Sequence, residues 1–109
     1  MQKRANFLFV TKKADEYILS MTPELQDDLG TIGLIDFPEQ ERVEVGSTLA
    51  NIEAAKSVLE LDSPIAGDIV AINEAAVDMP RLLNSDKLEE NWLVKLNHVD
   101  EDAFQTLED

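Results

Sequence analysis

The chain has 109 residues, the size of one domain, and 44% of them are hydrophobic, which is enough to bury a core. Its 23 acidic residues against 9 basic ones give a formal net charge of −14, which repels phosphate backbones and anionic bilayers, so neither nucleic acid nor membrane is an expected partner. Cysteine is absent and His98 is the one histidine, which excludes disulfides, thiolate nucleophiles, a histidine dyad and an ordinary zinc site.

In chain order, the first apolar stretch is Phe7-Leu8-Phe9-Val10, shorter than the ~7–15 residues of a signal-peptide core. No apolar run approaches the ~20 residues of a spanning helix, and a cytoplasmic protein is expected. No strand is assigned before Thr22. Residues 22–29 form a short helix: Thr22 caps it, Pro23 suits its first position, Glu24 lies at the positive dipole end and Gly30 fits the left-handed stop. Leu25 and Leu29 share its buried face, which leaves Asp27 and Asp28 toward solvent at the negative dipole end.

After Gly30 the period changes. Thr31 to Phe37 reads as a short buried strand stopped by Pro38, and Val43 and Val45 alternate with Arg42 and Glu44 before a turn at Gly46. Leu49 and Ile52 continue the apolar content. Val58–Leu61 and Ile65–Ile72 read as further strands, interrupted by Ser63-Pro64 and Gly67, and Trp92–Leu96 adds one more with Trp92 as a core aromatic. Asp100–Asp109 reads as an acidic helical turn around Phe104 and Leu107. The expectation is a single all-β dominated domain over 1–109, a small sandwich or barrel. A G-x-I-x-x-I pattern at Gly30–Ile35 recurs at Gly67–Ile72, which suggests two similar half-sheets with Lys56 between them.

Lys56 stands out electrostatically. Between Ala14 and Pro80 there are fifteen Asp or Glu residues, opposed only by Arg42 and Lys56. Any single lysine is most simply a solvated surface residue. Glu53-Ala54-Ala55-Lys56-Ser57 consists of helix formers, but its flanking strands and its shortness favour a tight hairpin tip that holds the Lys56 amine in solvent, where a modifying enzyme can engulf it.

Three runs then carry a family likeness: Val45-Gly46-Ser47, Ile52 to Ser57, and Leu61 to Glu74, extended by Thr22-Pro23, Gln26, Leu29-Gly30, Asp36-Phe37-Pro38, Pro80, Leu83-Asn84 and Trp92 to Lys95. Together they resemble the lipoyl-domain core of the glycine cleavage system H protein. The resemblance implies a barrel-sandwich hybrid of two small antiparallel sheets with a short helix. It further implies that Lys56 carries lipoate in amide linkage, placed by a lipoate ligase or lipoyl transferase that recognises Glu53, and that the chain is a carrier, not an enzyme. Here Ala54, Ala55 and Ser57 stand where the family typically has Ser, Val and Ala around the lysine. The family's amino-terminal His-Glu-Trp segment has no counterpart within residues 1–16.

A short bacterial H-like subgroup resembles the chain more closely. That resemblance implies a carrier in an oxidative-stress response, reversibly mono-ADP-ribosylated on Asp27, or on the adjacent Asp28, by a sirtuin-type ADP-ribosyltransferase and cleared by a macrodomain hydrolase. The alternative is a true H protein working with glycine decarboxylase, aminomethyltransferase and dihydrolipoyl dehydrogenase. An unmodified acidic module that binds a basic partner is the reading of another class. The acidic groups Asp27-Asp28, Glu89-Glu90 and Asp100-Glu101-Asp102 lack the spaced oxygens of a calcium loop, so no metal site is assigned.

Overall fold

The fold is seen in a computed structural model that describes residues 1–109. Nine strands form two antiparallel sheets. They are β1 (Gln2–Ala5), β2 (Leu8–Lys13), β3 (Glu16–Met21), β4 (Ile32–Asp36), β5 (Arg42–Val43), β6 (Thr48–Ala54), β7 (Val58–Asp62), β8 (Gly67–Ile72) and β9 (Trp92–Asn97). One sheet has six strands in the order β1-β2-β3-β9-β8-β5, and the other has three in the order β4-β6-β7. Four short helices accompany them: α1 (Pro23–Leu29), α2 (Glu74–Asp78), α3 (Leu88–Asn91) and α4 (Glu101–Gln105), with a 3-10 helix at Pro80–Asn84. The expected two-sheet fold is present as an open pair of sheets, not a closed barrel.

The amino-terminal meander β1-β2-β3 is an addition to the sequence reading. Its turns contain no glycine. Asn6, Phe7 and Ala14 adopt positive φ instead, at 52°, 67° and 54°, so the glycine that most plainly marks a hairpin turn is missing. β3 is also buried from Tyr17 through Met21, without the alternation that reveals a half-exposed strand.

Other expectations shift in detail. β4 is an edge strand with Gly33 and Leu34 exposed, and it carries a bulge between Ile32 and Leu34, so it is not buried throughout. Val45 lies outside β5 and is 70% exposed. The run from Ile65 starts its strand only at Gly67, because the buried Ser63 hydroxyl donates to the Ile65 carbonyl at 2.6 Å and turns the chain. Gly67 permits a close crossing there: a Cβ would stand 2.8 Å from Val99 Cγ2. The first G-x-I-x-x-I segment runs from the end of α1 into β4 and the second is β8, in sheets of three and six strands, so the halves are unequal. Trp92 is half-buried under the Lys95 ammonium, 4.8 Å from the ring centroid.

The deepest aromatic is Phe104, delivered by α4 and packed edge-on against Tyr17 with centroids 5.0 Å apart. It closes a core that includes Leu8, Val10, Leu19, Leu49, Ile52, Leu83, Leu93 and Leu96. A polar clamp holds α4 in place. Lys12 Nζ lies 2.8 Å from Glu101 Oε2, and the Tyr17 hydroxyl donates to the same oxygen. These bonds, that from Lys12 foremost, hold the Glu101 carboxyl down to about 2, while the Glu101 contact holds the Lys12 ammonium up and burial holds the Tyr17 hydroxyl up.

A carboxylate held below its ordinary value of 4.5 contributes stability above that pH and loses it as pH falls toward about 2. Urea unfolding between pH 6 and pH 2.5 is therefore expected to show a loss of stability below about pH 4.5, and this loss is shallower in Glu101→Gln. Equal pH slopes in the two proteins contradict the clamp.

Candidate functional site: the Lys56 hairpin tip

The β6 and β7 strands pair through Glu53 and Val58, and the Ala54 N–H donates to the Ser57 carbonyl at 2.9 Å. Ala55 and Lys56 are thereby left as the two residues of the turn. Strand pairing on both sides overrides the local helix preference of Glu-Ala-Ala-Lys, as the flanking pattern predicts. Ala55, Lys56 and Ser57 are all exposed.

The tip is tied down on its inner side. The Ala55 N–H donates to the Thr31 carbonyl at 2.9 Å and the Lys56 N–H to the Leu29 carbonyl at 3.0 Å. The Lys56 ammonium donates to the Asp27 carbonyl at 3.0 Å. The amine therefore caps the carbonyl end of α1, where the helix dipole favours a cation, and does not project freely into solvent as expected. Between these contacts lies Gly30, at φ 72° and ψ −152°, a backbone region essentially reserved for glycine. A Cβ at Gly30 would come within 3.3 Å of Lys56 Cγ and 3.5 Å of Ala55 Cβ.

The residues that fix α1 under the tip come from far along the chain. The Thr22 hydroxyl accepts from the Leu25 N–H at 3.2 Å and donates to the Phe7 carbonyl at 2.6 Å. Gln26 Nε2 reaches the carbonyls of Leu83 and Ser85 at 2.8 and 2.7 Å. Asn84 bridges both sides of Gly30's neighbourhood: its Oδ1 accepts from the Ile32 N–H and its Nδ2 donates to the Gly30 carbonyl, each at 2.9 Å. Gln26 and Asn84 are thus positioning residues for the tip, a role that depends on pairings more than fifty residues apart.

Asp27 and Asp28 are exposed on α1, and Asp27 is brought to Lys56 through its carbonyl. Glu53 is exposed in β6. His98 belongs to a separate cluster: its Nδ1 lies 2.7 Å from Asp68 Oδ2, and Arg42 holds the other Asp68 oxygen at 3.1 Å. The His98 contact foremost, then Arg42, lowers the Asp68 carboxyl. Asp100 caps α4 and Glu90 accepts from the Ser85 hydroxyl, so these acidic residues have structural partners. No three acidic or histidine side chains converge in a metal-holding geometry.

Against this geometry stand the comparisons with known proteins. The family model described as Glycine cleavage H-protein matches residues 1–109. The chain belongs to that family. A glycine cleavage system H-like protein of Staphylococcus aureus is 48% identical over 107 residues, covering 98% of this chain and 97% of the relative. A glycine cleavage system H protein of Listeria monocytogenes is 38% identical over 98 residues, covering 87% of this chain and 78% of the relative. The crystal structure of an H protein from Mycobacterium marinum superposes with a TM-score of 0.76 at 25% identity, covering 88% of this chain and 81% of that one. Proteins of this family are lipoyl carriers, not catalysts, and bear lipoate covalently on a lysine. No helix in the chain is long and apolar enough to cross a membrane.

Lys56 fits such a group. It is an exposed primary amine at the apex of a two-residue turn between small neighbours, held by one replaceable bond to a backbone carbonyl. Gly30→Ala is expected to lower the free energy of unfolding by about 1–3 kcal/mol, since it forces a side chain into a glycine-only conformation against the tip. Urea denaturation of both proteins checks this, and equal midpoints and slopes contradict it.

Proposed function

We propose that the chain is a cytoplasmic lipoyl carrier loaded at Lys56. The observation that carries this reading is the lysine's place at the exposed apex of the β6–β7 hairpin in a chain of the H-protein family. For loading, the ammonium leaves the Asp27 carbonyl and gives up a proton. The free amine attacks the carbonyl carbon of a lipoyl-adenylate donor. A C–N bond forms as the bond from that carbon to the phosphate oxygen breaks, adenylate departs, and a second proton passes from the nitrogen to solvent. Lipoate on Lys56 supplies a two-electron dithiol/disulfide couple to a chain without cysteine. Tethering raises the group's effective concentration at each partner's active site. The charge of −14 steers encounter with basic partner surfaces, the lipoate ligase or lipoyl transferase first among them.

Within this reading, the H-like relative at 48% identity, matched along nearly its whole length, supports an H-like carrier over a full H protein. The finer role we propose is stress-linked: reversible mono-ADP-ribosylation as an ester on Asp27, with Asp28 its neighbour, written by a sirtuin-type transferase and removed by a macrodomain hydrolase. The exposed position of both carboxylates, and the Asp27 carbonyl's grip on Lys56, support a link between load and mark. The second reading, favoured by the H proteins at 38% identity, is aminomethyl transfer with glycine decarboxylase, aminomethyltransferase and dihydrolipoyl dehydrogenase.

Incubation with a lipoate ligase, lipoate and ATP is expected to add one lipoyl group to the wild type and none to Lys56→Arg, read by intact mass, because arginine offers no amine to acylate. An acylated Lys56→Arg protein overturns the assignment. Lipoylated protein mixed with glycine decarboxylase and glycine then tests the second reading: accumulation of an aminomethyl adduct supports glycine cleavage, and its absence overturns that reading.

A further inference from the structure

The six-stranded sheet carries an apolar spot on the side that faces away from the core. Every buried hydrophobic residue except Ile18 belongs to the core cluster. Ile18 stands between Tyr17 and Leu19 in β3, so its side chain alternates to the opposite face of the sheet. It is nevertheless only 6% exposed. The register shows what surrounds it. Ile18 pairs with Lys95 of β9, and Ser20, on the same face of β3, pairs with Trp92. Thr11 of β2 also pairs with Ile18, which puts Lys13, two residues on, on this face as well. A hollow of about 290 Å³ opens here, lined by Lys13, Ile18, Leu88, Glu89, Trp92 and Lys95. Its size is close to the ~300 Å³ at which small-molecule sites begin.

Charge is divided between the two sheets. Every basic residue that lies in a strand belongs to the six-stranded sheet, whereas the strands of the other carry only Asp36, Glu53, Glu60 and Asp62. Four of these strand cations pair with carboxylates: Lys3 with Asp109, Arg4 with Glu24, Lys12 with Glu101, and Arg42 with Glu44 and Asp68. Lys13 and Lys95 are the two that form no ion pair, in a chain with 23 acidic residues, and both line the one hollow. Lys95 instead holds its ammonium 4.8 Å from the centroid of the Trp92 ring. Glu89 is the one carboxylate in the lining, exposed on α3, and it pairs with neither lysine.

We infer that this hollow binds a small carboxylic acid with an unbranched apolar stem. The carboxylate lies between the Lys13 and Lys95 ammonium groups, and the stem lies against Trp92, Ile18 and Leu88. The lining selects that class. Two cations without a carboxylate partner accept one anion through charge-assisted hydrogen bonds. The apolar floor favours a stem that leaves water, which a bare inorganic anion lacks. A net charge of −14 repels anions at long range, so one is retained only where cations converge. The hollow shares no residue with the Lys56 turn or with the carbonyls that hold it, so the inference stands apart from the reading of Lys56.

Trp92 is the only tryptophan, so its indole N–H gives a single nuclear magnetic resonance signal that reports the hollow. The probe is hexanoate, titrated into the full chain at neutral pH. That signal is expected to shift saturably at about millimolar hexanoate, as suits so small a ligand. Acetate, which lacks the stem, is expected to bind about tenfold more weakly, and hexylamine, of opposite charge, to leave the signal in place. The Lys13→Gln/Lys95→Gln pair is expected to weaken hexanoate binding about fivefold or more, and Glu89→Gln to tighten it. Arg81→Gln removes an equal charge outside the hollow and leaves the affinity unchanged. Thermal melts confirm that each variant is folded, and the exposed Glu89→Gln change keeps the test decisive for a double variant that melts early. A shift that never saturates, hexylamine bound as well as hexanoate, wild-type affinity in the folded double variant, or no tightening in Glu89→Gln overturns the site.

Discussion

The structure turns on the docking of a two-residue turn onto the end of a helix. Three hydrogen bonds, from the Ala55 and Lys56 amides and the Lys56 ammonium, meet the carbonyls of Thr31, Leu29 and Asp27 around Gly30. A helix end leaves its last carbonyls without partners, and here the hairpin tip supplies them. Each side stabilises the other: α1 gains its missing donors, and the turn gains a rigid base. Gly30 is the narrow point, since a side chain there would strain the backbone and press on Lys56. Gln26 and Asn84 extend the constraint to the 3-10 helix, so the tip is held by the fold as a whole and not by its own two residues.

With Lys56 as the proposed attachment site, that arrangement reconciles two demands on a carrier. The lysine has to be exposed and small-flanked to enter an enzyme, yet a loose lysine loses conformational entropy when captured. A rigid turn backbone with a side chain parked on a single carbonyl meets both. The bond to Asp27 is one backbone acceptor and leaves the amine retrievable. The segregation of charge between the sheets adds direction. A globally acidic chain attracts basic surfaces from all sides, whereas on the proposed role of Lys56 the acidic residues of the three-stranded sheet guide them to the lysine.

How much of this could be read beforehand varied with how local the signal was. α1 was legible to the residue because its signals are short-range: Thr22, Pro23 and Gly30 sit where cap, first turn and stop require them. The α4 turn was legible from Asp100 and Phe104, although Phe104's place at the centre of the core was not. β1 to β3 escaped because their turns use Asn6, Phe7 and Ala14 in left-handed conformations and because β3 is buried on both faces. The hairpin tip was legible only by setting local propensity aside in favour of its flanks. The grip of Asp27 on Lys56 joins residues 29 apart and rests on a backbone oxygen, which leaves no trace in side-chain pattern.

The most direct test of this account is site-resolved mass mapping of the chain after co-expression with a lipoate ligase. The chain offers six lysines: Lys3, Lys12, Lys13, Lys56, Lys87 and Lys95. A single acylated residue is expected, Lys56, in the peptide spanning the β6–β7 turn. Acylation spread over several lysines, or a Lys56 left unmodified while the ligase is active on another carrier, contradicts it.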